Sequence, residues 1–377
     1  MISVVGGGPA GLFSAALLAR QGRNIVLYEE HKTIGQPIQC TGILTRDIDT
    51  LIRLKPQTIA NRIKRIRVVS PSGKDVIIRL KRPEYITYRD RLDQQIADIA
   101  EKEGVTIKTG HRLVKATNTA VTMRHDGRTT RTPTDMIIGA DGPLSAVARL
   151  RGMVRGKKHF IGQQYVVKGD FDPDTYTAYL GRDIPGFFGW LVPENEERAR
   201  IGIAASKDAS AIMARFCRRA LGEGYKKQIK ECQAGVIPLY DPKATIQQGR
   251  TFLVGDAATQ AKATTGGGII PGLKAARALS RSIKKGTPYR TELIGLDRQL
   301  TAHLFLRRML DRFSDADFDH LTRLTKSRRV QDVLRKTSRD RAASLLTQLP
   351  LAQPGYLRFM PQGIGAAADL VGSIMFK

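Results

Sequence analysis

The chain has 377 residues, of which 41% are hydrophobic, a proportion typical of a folded globular protein with a substantial core. Its 62 basic and 35 acidic residues give a formal net charge of +27, which attracts polyanions such as nucleic acid, anionic lipid or acidic substrates. The three cysteines form no CxxC pair, which argues against a disulfide framework or a zinc cluster. We expect no bound metal, and no apolar run approaches the ~18 residues of a membrane span.

The basic residues are clustered, at 62–67, 79–82 and 149–158 and again at 307–341. No aromatic RNA-binding motif, paired zinc ligands or basic region with heptads accompanies them, so we expect no nucleic-acid partner. An anionic membrane surface is the more specific interpretation, because each basic residue near such a surface contributes about 1 kcal/mol. A solvated surface in a generally basic proteome is the alternative.

The first 30 residues have the outline of a dinucleotide-binding unit. Residues 2–5 are apolar and predict a strand, residues 6–11 form a glycine-rich turn, and residues 12–20 predict a helix that ends near Gly22. Residues 25–28 predict a second strand. This strand–turn–helix–strand order is the context in which a glycine-rich turn binds a dinucleotide.

The turn reads Gly6-x-Gly8-x-x-Gly11, and each glycine has its own role. Gly6 permits the tight turn, Gly8 lets the backbone approach a pyrophosphate, and Gly11 lets helix and strand pack closely. The N-terminus of the helix faces the phosphates. Glu29, at the end of the second strand, is placed to bind the ribose hydroxyls. The predicted nucleotide-binding residues of this unit are Gly6, Gly8, Ala10, Gly11, Glu29 and Glu30.

Later segments extend this pattern along the chain. The elements that we predict are a helix from Arg89 to about Gly104, a parallel strand at 105–107, a hairpin of 120–123 with 128–132, and buried strands at 136–138 and 251–254. β-rich insertions occupy 63–80 and 163–205. After Gly286 the pattern is helical to about residue 349, and a Pro/Gly-rich tail follows.

The order of these motifs resembles the FAD-dependent oxidoreductases of the p-hydroxybenzoate hydroxylase-like fold, over about residues 1–290. The motifs that carry the resemblance are 6–11 with Glu29, Arg89, Gly139-Ala140-Asp141-Gly142, and Gly255-Asp256. It implies FAD as the cofactor. It also implies that Asp141 lies near the pyrophosphate and ribose, that Asp256 binds the ribityl chain, and that Arg89 contacts the cofactor.

The resemblance implies an α/β fold class. We expect a Rossmann-like FAD-binding domain with an inserted antiparallel-sheet substrate domain and a C-terminal helical region. The expected boundaries are 1–60, 84–160 and 246–290 for the FAD-binding domain, 61–83 and 161–245 for the β-rich domain, and 291–377 for the helical region.

Within that fold, three segments are similar to the geranylgeranyl reductase family. Residues 35–42 are similar to the stretch that carries a cysteine, here Cys40, near the flavin. Residues 187–193 are similar to the aromatic-Gly-Trp-x-x-Pro motif, and residues 262–269 to the glycine-rich loop. The family motif usually continues with lysine after the proline. This chain has Glu194 there, so a role for that lysine cannot be transferred.

This second resemblance implies a flavin-dependent reductase that saturates C=C bonds of geranylgeranyl-type isoprenoid chains. The basic charge suits the archaeal branch, which acts on anionic membrane ether lipids. The flavin delivers a hydride to one carbon, and the other carbon takes a proton. The predicted catalytic residues are Cys40, Gly267 and Gly268, and the flavin-binding residues also include Arg89, Asp141, Gly255, Asp256 and Ile269. For Cys40, a small buried thiol without a chemical role is the alternative.

A prenyl chain needs a long apolar lining with few polar groups. The predicted substrate-binding residues are Tyr165, Phe187, Phe188, Trp190 and Pro193, although Trp190 is also consistent with ordinary sheet packing. No second GxGxxG is present. The electron donor therefore remains open between a reduced carrier protein, a deazaflavin and NAD(P)H.

Two other functions remain open at this point. One is an FAD-dependent aromatic or quinone monooxygenase of the same fold, and the other is a basic nucleic-acid-binding or membrane-binding protein without catalysis. The reductase interpretation predicts a cytoplasmic protein that lies peripherally on the inner face of the cell membrane. Residues 350–377 offer apolar side chains that either enter a bilayer edge or pack back on the fold.

Overall fold

The computed structural model describes residues 1–153 and 158–375, the last three of these by backbone alone. Arg155 and Lys157 of the basic cluster at 149–158, and Phe376 of the tail, lie outside the described residues. The helices are α1 (Pro9–Ala19), α2 (Arg89–Lys102), α3 (Ala146–Leu150), α4 (Ala209–Leu221), α5 (Ile269–Lys285), α6 (Tyr289–Leu310), α7 (Asp315–Thr325), α8 (Arg328–Lys336), α9 (Ala342–Ala352) and α10 (Met360–Met375).

The strands form three sheets. They are β1 (Ile2–Val5), β2 (Ile25–Tyr28), β3 (Ile43–Leu44), β4 (Ile59–Val69), β5 (Asp75–Thr87), β6 (Thr106–Lys108), β7 (Arg112–Ala116), β8 (Ala120–His125), β9 (Arg128–Pro133), β10 (Met136–Gly139), β11 (His159–Lys168), β12 (Thr175–Tyr179), β13 (Gly189–Pro193), β14 (Arg198–Ala205), β15 (Ile229–Pro238), β16 (Gln247–Gln248) and β17 (Thr251–Leu253).

The first sheet has the strand order β16-β17-β10-β1-β2-β6 and is parallel except for the edge strand β16. The chain leaves β1 on one side to form β2 and returns on the other side as β10, so the strand order reverses between β1 and β10. In such sheets ligands bind outside the carboxyl ends of the strands at the reversal. The turns after β1 and β10 meet at this place.

The second sheet has eight strands in the order β15-β11-β14-β13-β12-β4-β5-β3, antiparallel except for the β12–β4 pair. It contains the predicted β-rich insertions. Its strands extend beyond them, because β4 begins at Ile59, β5 ends at Thr87, and β3 comes from the segment after β2. The domain boundaries that we expect from the sequence remain predictions.

The third sheet, β7-β8-β9, contains the predicted hairpin. Its turn residues Asp126 and Gly127 both have positive φ, as a two-residue hairpin turn requires. The predicted helix at Arg89, the parallel strand at Thr106–Lys108 and the buried strands β10 and β17 are confirmed.

The C-terminal region is helical beyond the predicted end near residue 349. Residues 360–375 form α10, with Pro361 in the first turn, where its missing N–H costs no helical hydrogen bond. Glycines of this segment lie close to α6 and to the residues that follow it: a Cβ on Gly363 would lie 3.7 Å from Phe305 of α6, and one on Gly365 would lie 2.6 Å from Nε of Arg312. The segment that we describe from the sequence as a Pro/Gly-rich tail is therefore largely helical. Within the described part of the chain, no helix is long and apolar enough to cross a membrane.

Candidate functional site

A cavity of about 660 Å³ lies between the carboxyl ends of the first sheet, one face of the second sheet and the C-terminal helices. We call it the main cavity. Of the predicted cofactor-binding residues it is lined by Gly8, Ala10, Cys40, Arg89, Gly255, Asp256, Gly267, Gly268 and Ile269. Segments that lie more than 200 residues apart in the chain therefore converge on one space.

The glycine-rich turn packs as its sequence predicts. A Cβ on Gly6 would lie 2.3 Å from the carbonyl oxygen of Ala140, and a Cβ on Gly11 would lie 2.1 Å from the carbonyl oxygen of Gly6. Both distances exclude a side chain, so the turns after β1 and β10 touch through backbone alone. At Gly8, by contrast, a Cβ would have no described atom within 4 Å. That space adjoins the N-terminus of α1, where phosphates bind.

Two predicted acids are engaged within the protein. Glu29 accepts a hydrogen bond from the backbone N–H of Gly7 at 2.6 Å and one from the backbone N–H of His31 at 2.9 Å. Glu30 is exposed and lies 3.6 Å from Arg112. Glu29 thus closes the glycine-rich turn onto the end of β2, which leaves its ribose role a prediction.

Asp141 is likewise engaged at its own turn. Its carboxylate accepts a hydrogen bond from Ser145 Oγ at 2.6 Å and another from the backbone N–H of Val147 at 3.0 Å. Burial raises the pKa of Asp141, although these donors oppose the shift. The side chain therefore supports the start of α3, while its neighbours Ala140 and Gly142 line the main cavity.

Arg89 and Asp256 form the charged part of the cavity wall. Arg89 binds Asp93 at 3.0 Å, one turn further along α2. Burial opposes ionisation of Arg89, but Asp93 and Cys40 hold its pKa above the ordinary value, so the guanidinium stays charged. Its Nε atom is buried and has no partner among the described residues. Burial raises the pKa of Asp256 to about 6, partly offset by Arg89. The Nε–H of Arg89, which has no partner among the described residues, and the buried carboxylate of Asp256 are both suited to bind the polar part of a nucleotide cofactor.

The loop before α5 brings backbone to the cavity surface. Gly268 is the N-cap of α5, with no side-chain cap, and its own Cβ would lie 2.4 Å from Oδ1 of Asp256. Gly267 is similarly crowded by Lys262. A side chain at Gly268 would displace the Asp256 carboxylate, and one at Gly267 would displace the end of the Lys262 side chain. The unsatisfied N–H groups of the helix provide a positive field at the cavity.

Cys40 is held in the wall by a buried ion pair that the sequence motif did not predict. Arg200 donates hydrogen bonds to the carbonyl oxygens of Cys40 and Thr41, at 3.1 and 2.8 Å. The Arg200 guanidinium is paired in turn with Glu194 at 2.5 Å. Glu194, the departure from the family motif, therefore neutralises the arginine that positions the cysteine loop. Cys217 is buried in α4, and Cys232 is exposed on β15.

The aromatic wall is formed by part of the predicted set. Phe187, Phe188 and Trp190 line the main cavity, and the two phenylalanine rings stack with centroids 4.8 Å apart. Tyr165 packs instead with the cluster around α4, on the opposite face of β11. Pro193 follows Leu191 on that opposite face of β13. Side chains alternate between the two faces of a strand, so neighbours of lining residues face away from the cavity.

Several lining residues were not among the predicted site residues. They are Gln164 and Gln233 on neighbouring strands, Lys262 at the start of the glycine-rich loop, and Arg307, Leu310, Phe318, Leu321, Leu334, Arg339, Leu349 and Tyr356 from the C-terminal region. The glutamines bond to each other at 2.6 Å. The period-two pattern of β11 could have indicated Gln164. The helical residues could not be assigned, because nothing local shows which helix faces the cavity.

Comparison with known proteins agrees with this geometry. Residues 1–285 match the family model of the FAD binding domain. The digeranylgeranylglycerophospholipid reductase of Methanothrix thermoacetophila is 28% identical over 366 residues, which cover 88% of this chain and 92% of that protein. The digeranylgeranylglycerophospholipid reductase 1 of Methanococcoides burtonii is 30% identical over 71% of this chain and 70% of that protein.

Among solved structures, a geranylgeranyl bacteriochlorophyll reductase-like protein from Thermoplasma acidophilum superimposes with a TM-score of 0.82. The superposition covers 95% of this chain and 98% of that chain, at 24% sequence identity, and so shows a common fold. The fold and the cavity define an FAD-dependent oxidoreductase. The chain belongs to the FAD binding domain family and, within it, to the digeranylgeranylglycerophospholipid reductases.

Gly8→Val tests the phosphate-binding role of the glycine-rich turn. Gly8 has an extended backbone with φ −77° and open space at the Cβ position, so the variant should fold normally. Its methyl groups occupy space that the pyrophosphate needs. We expect FAD affinity to fall by at least about 100-fold, or ~2.8 kcal/mol, in a fluorescence titration. Gly224→Val, where a Cβ also meets open space, is the control and should retain FAD. An equally yellow Gly8→Val protein would contradict this role.

Asp256→Asn tests whether the buried Asp256 carboxylate lowers the stability of the protein without cofactor and contributes to FAD binding. The pKa of Asp256 is higher in the folded chain than in the unfolded chain, so the folded chain binds its proton more tightly. The resulting penalty is absent at low pH, grows as pH rises from about 4 to 6, and is complete above pH 6. We expect the variant to be more stable than the wild type in denaturant unfolding at pH 7.5, by about 3 kcal/mol, and to bind FAD more weakly. A stability difference that does not change between pH 5 and 7.5 would refute this assignment.

Proposed function

We propose that the chain uses FAD to saturate the C=C bonds of geranylgeranyl-type isoprenoid chains carried by archaeal-type ether lipids. The observation that carries the proposal is the continuity of the main cavity. One end is formed by Gly8, Arg89 and Asp256, and the same cavity continues along apolar side chains into the C-terminal helices. A cofactor site alone would not need that extension.

The extension has the chemical character of an isoprenoid-binding channel. Its walls are formed by the second sheet and by α6 to α9, and the apolar lining residues there are Ile66, Val68, Ile78, Ala178, Leu180, Leu310, Phe318, Leu321, Leu334 and Leu349. A long prenyl chain makes no hydrogen bonds, so it is recognised by buried apolar area, at about 25 cal/mol per Å². The family relationship supports the same substrate class.

The chemistry is divided between cofactor and protein. Bound FAD supplies the hydride for one carbon of the double bond. The second carbon requires a proton, and we propose Cys40 as the group that delivers it, because its thiol lies in the cavity wall beside Arg89. Arg200 fixes the cysteine loop through its two backbone carbonyls. Gly267 and Gly268 allow the N-terminus of α5 to lie against the cofactor, where its positive field stabilises developing negative charge.

The substrate must leave a membrane to reach the cavity, and we propose that the segment 349–371 lies on an anionic membrane surface. Leu349 and Tyr356 line the cavity, while apolar residues of the same segment face solvent. The exposed residues are Leu351 (82% exposed), Leu357, Met360, Ile364 (65% exposed) and Val371. Leu370 packs inward against the cluster around Leu300 and Leu304. The tail thus both packs on the fold and presents an apolar outer surface, and the net charge of +27 favours anionic lipid.

This placement corresponds to a cytoplasmic protein that lies peripherally on the inner face of the cell membrane. The reaction also requires an electron donor. A reduced carrier protein, a deazaflavin and NAD(P)H each satisfy that requirement. The reductase chemistry is the same for all three, because each donor reduces the flavin before the lipid reacts.

Incubation of the FAD-loaded protein with an unsaturated archaeal-type ether lipid and dithionite tests the reaction directly. We expect mass spectrometry to show a gain of two hydrogens for each double bond reduced. Ala178 lies in the channel wall, so Ala178→Phe should lower the rate at least about tenfold without loss of FAD, whereas Ala178→Ser should not. Oxygen-dependent NAD(P)H consumption with oxygen incorporation, and no hydrogenation, would instead select the monooxygenase alternative.

Sedimentation with anionic liposomes tests the membrane surface. Binding should weaken steeply as salt rises, because exposed charges are screened. Ile364→Glu should weaken binding at least about tenfold, since it removes a side chain whose burial contributes about 1.5–3 kcal/mol. Ile294→Glu is the matched control, because Ile294 is equally exposed (66%) but lies on α6, and we expect no change. Absent or salt-independent binding would refute the membrane proposal and leave the reductase proposal standing.

A further inference from the structure

Lys262 is a buried cation directly behind the glycine loop that faces the main cavity. A Cβ on Gly267 would lie 2.8 Å from Cε of Lys262 and 3.1 Å from its Nζ. The backbone of Lys262 also shapes the loop: its N–H donates to the carbonyl of Gly267 at 3.2 Å, and its carbonyl accepts from Gly266 at 2.8 Å. Both the backbone of Lys262 and the end of its side chain therefore lie against the glycine loop.

The ammonium group is held by a buried carboxylate from the C-terminal region. Lys262 Nζ is paired with Asp340, and the side chains are only 10% and 5% exposed. Asp340 also accepts a hydrogen bond from Thr45 Oγ1 at 2.7 Å. Burial alone would raise the pKa of Asp340, but Lys262 and Arg339 hold it well below its usual range. Asp340 therefore remains a carboxylate.

The two residues of the Lys262–Asp340 ion pair differ in the cavities that they line. A second cavity of about 390 Å³ lies on the other side of the loop. Lys262 lines both cavities, whereas Asp340 contributes to the second cavity, behind the lysine. The ion pair is thus a dipole with its positive end towards the flavin site. This direction is the same as that of the α5 dipole, whose N-terminus begins at Gly268.

We propose that Lys262 sets the reduction potential of the bound flavin, acting across the glycine loop as a positioned positive charge. Reduction of a flavin by two electrons and one proton leaves one negative charge on the ring. The electrons come from the donor required by the reaction, of the classes named above. A cation fixed close to that charge in a site of low dielectric favours the reduced form. The inference rests on the proposed function only for the cofactor and is independent of the lipid.

The neighbouring ion pair explains how the geometry is maintained. Arg339, next to Asp340 in sequence, binds Glu84 through two nitrogens at 3.1 and 2.7 Å and donates to the hydroxyl of Tyr176 at 2.9 Å. These contacts tie residues 339–340 to the second sheet. The second sheet, which forms one wall of the proposed lipid channel, therefore holds Asp340 in place, and Asp340 in turn holds the ammonium group of Lys262.

The test is the midpoint potential of the FAD-saturated protein without lipid, by dye-coupled reductive titration. In Lys262→Met we expect the equilibrium constant for flavin reduction to fall at least about tenfold, which lowers the midpoint potential of the two-electron couple by about 30 mV. Lys262→Arg, which retains the charge, should remain within about threefold of the wild type. Lys274→Met is the matched control: Lys274 pairs with Asp47 at 2.8 Å and lines the second cavity, and its loss should have a similarly small effect.

Lys262→Met leaves Asp340 buried without its partner and can therefore unfold the chain. The double variant Lys262→Met with Asp340→Asn removes both charges, keeps an acceptor for Thr45, and should also show a lowered potential, with a smaller fall than the single variant because the opposing negative charge is removed too. A wild-type potential in either FAD-bound variant would overturn the inference. If the variants have a wild-type potential and the wild-type protein hydrogenates lipid normally, the role of Lys262 is refuted and the proposed function stands. A lowered potential in these variants, together with no lipid hydrogenation by the wild-type protein, would overturn the proposed function and leave the role of Lys262 intact.

Discussion

The close approach of two backbone turns at the carboxyl ends of β1 and β10 fixes the geometry around the cavity. Gly6 and Ala140 touch where no Cβ fits, and Gly11 permits α1 to start immediately behind them. This contact leaves Gly8 facing open space at the end of a helix. The cofactor site is thus a consequence of backbone packing before any charged side chain contributes.

Charged side chains then hold the loops around the main cavity in place and supply a positive electrostatic field there. The buried Glu194–Arg200 pair positions the loop of Cys40, and Lys262–Asp340 positions a cation behind the glycine loop. Buried pairs of this kind add little net stability, because the cost of removing two charges from water offsets their attraction. Their role is therefore positional: each fixes a group on one side of the main cavity.

The sequence predicted the parts of the site that are local. The glycine-rich turn, the helix at Arg89 and the Gly255-Asp256 turn each combine a residue pattern with a strand or helix end, and the structure places all three at one cavity. Tyr165 and Pro193 were expected in the wall but face away from it, because strand phase is decided by packing against α4 and cannot be read from a short motif. Asp340, Arg339 and Arg200 had no signal for their place at the cavity. Asp340 lies 78 residues from Lys262, Arg339 lies 255 residues from Glu84, and Arg200 lies 160 residues from Cys40. α10 was missed because Pro and Gly in its first turns resemble a loop.

A crystal structure of the chain with FAD tests the central claim, that these distant segments bind a single flavin nucleotide. The account predicts the pyrophosphate over Gly8 at the start of α1, the ribityl chain beside Asp256, and the isoalloxazine ring against Gly267 with Cys40 on the cavity wall. FAD bound outside the main cavity, or with its ring out of contact with residues 266–268, would contradict the account.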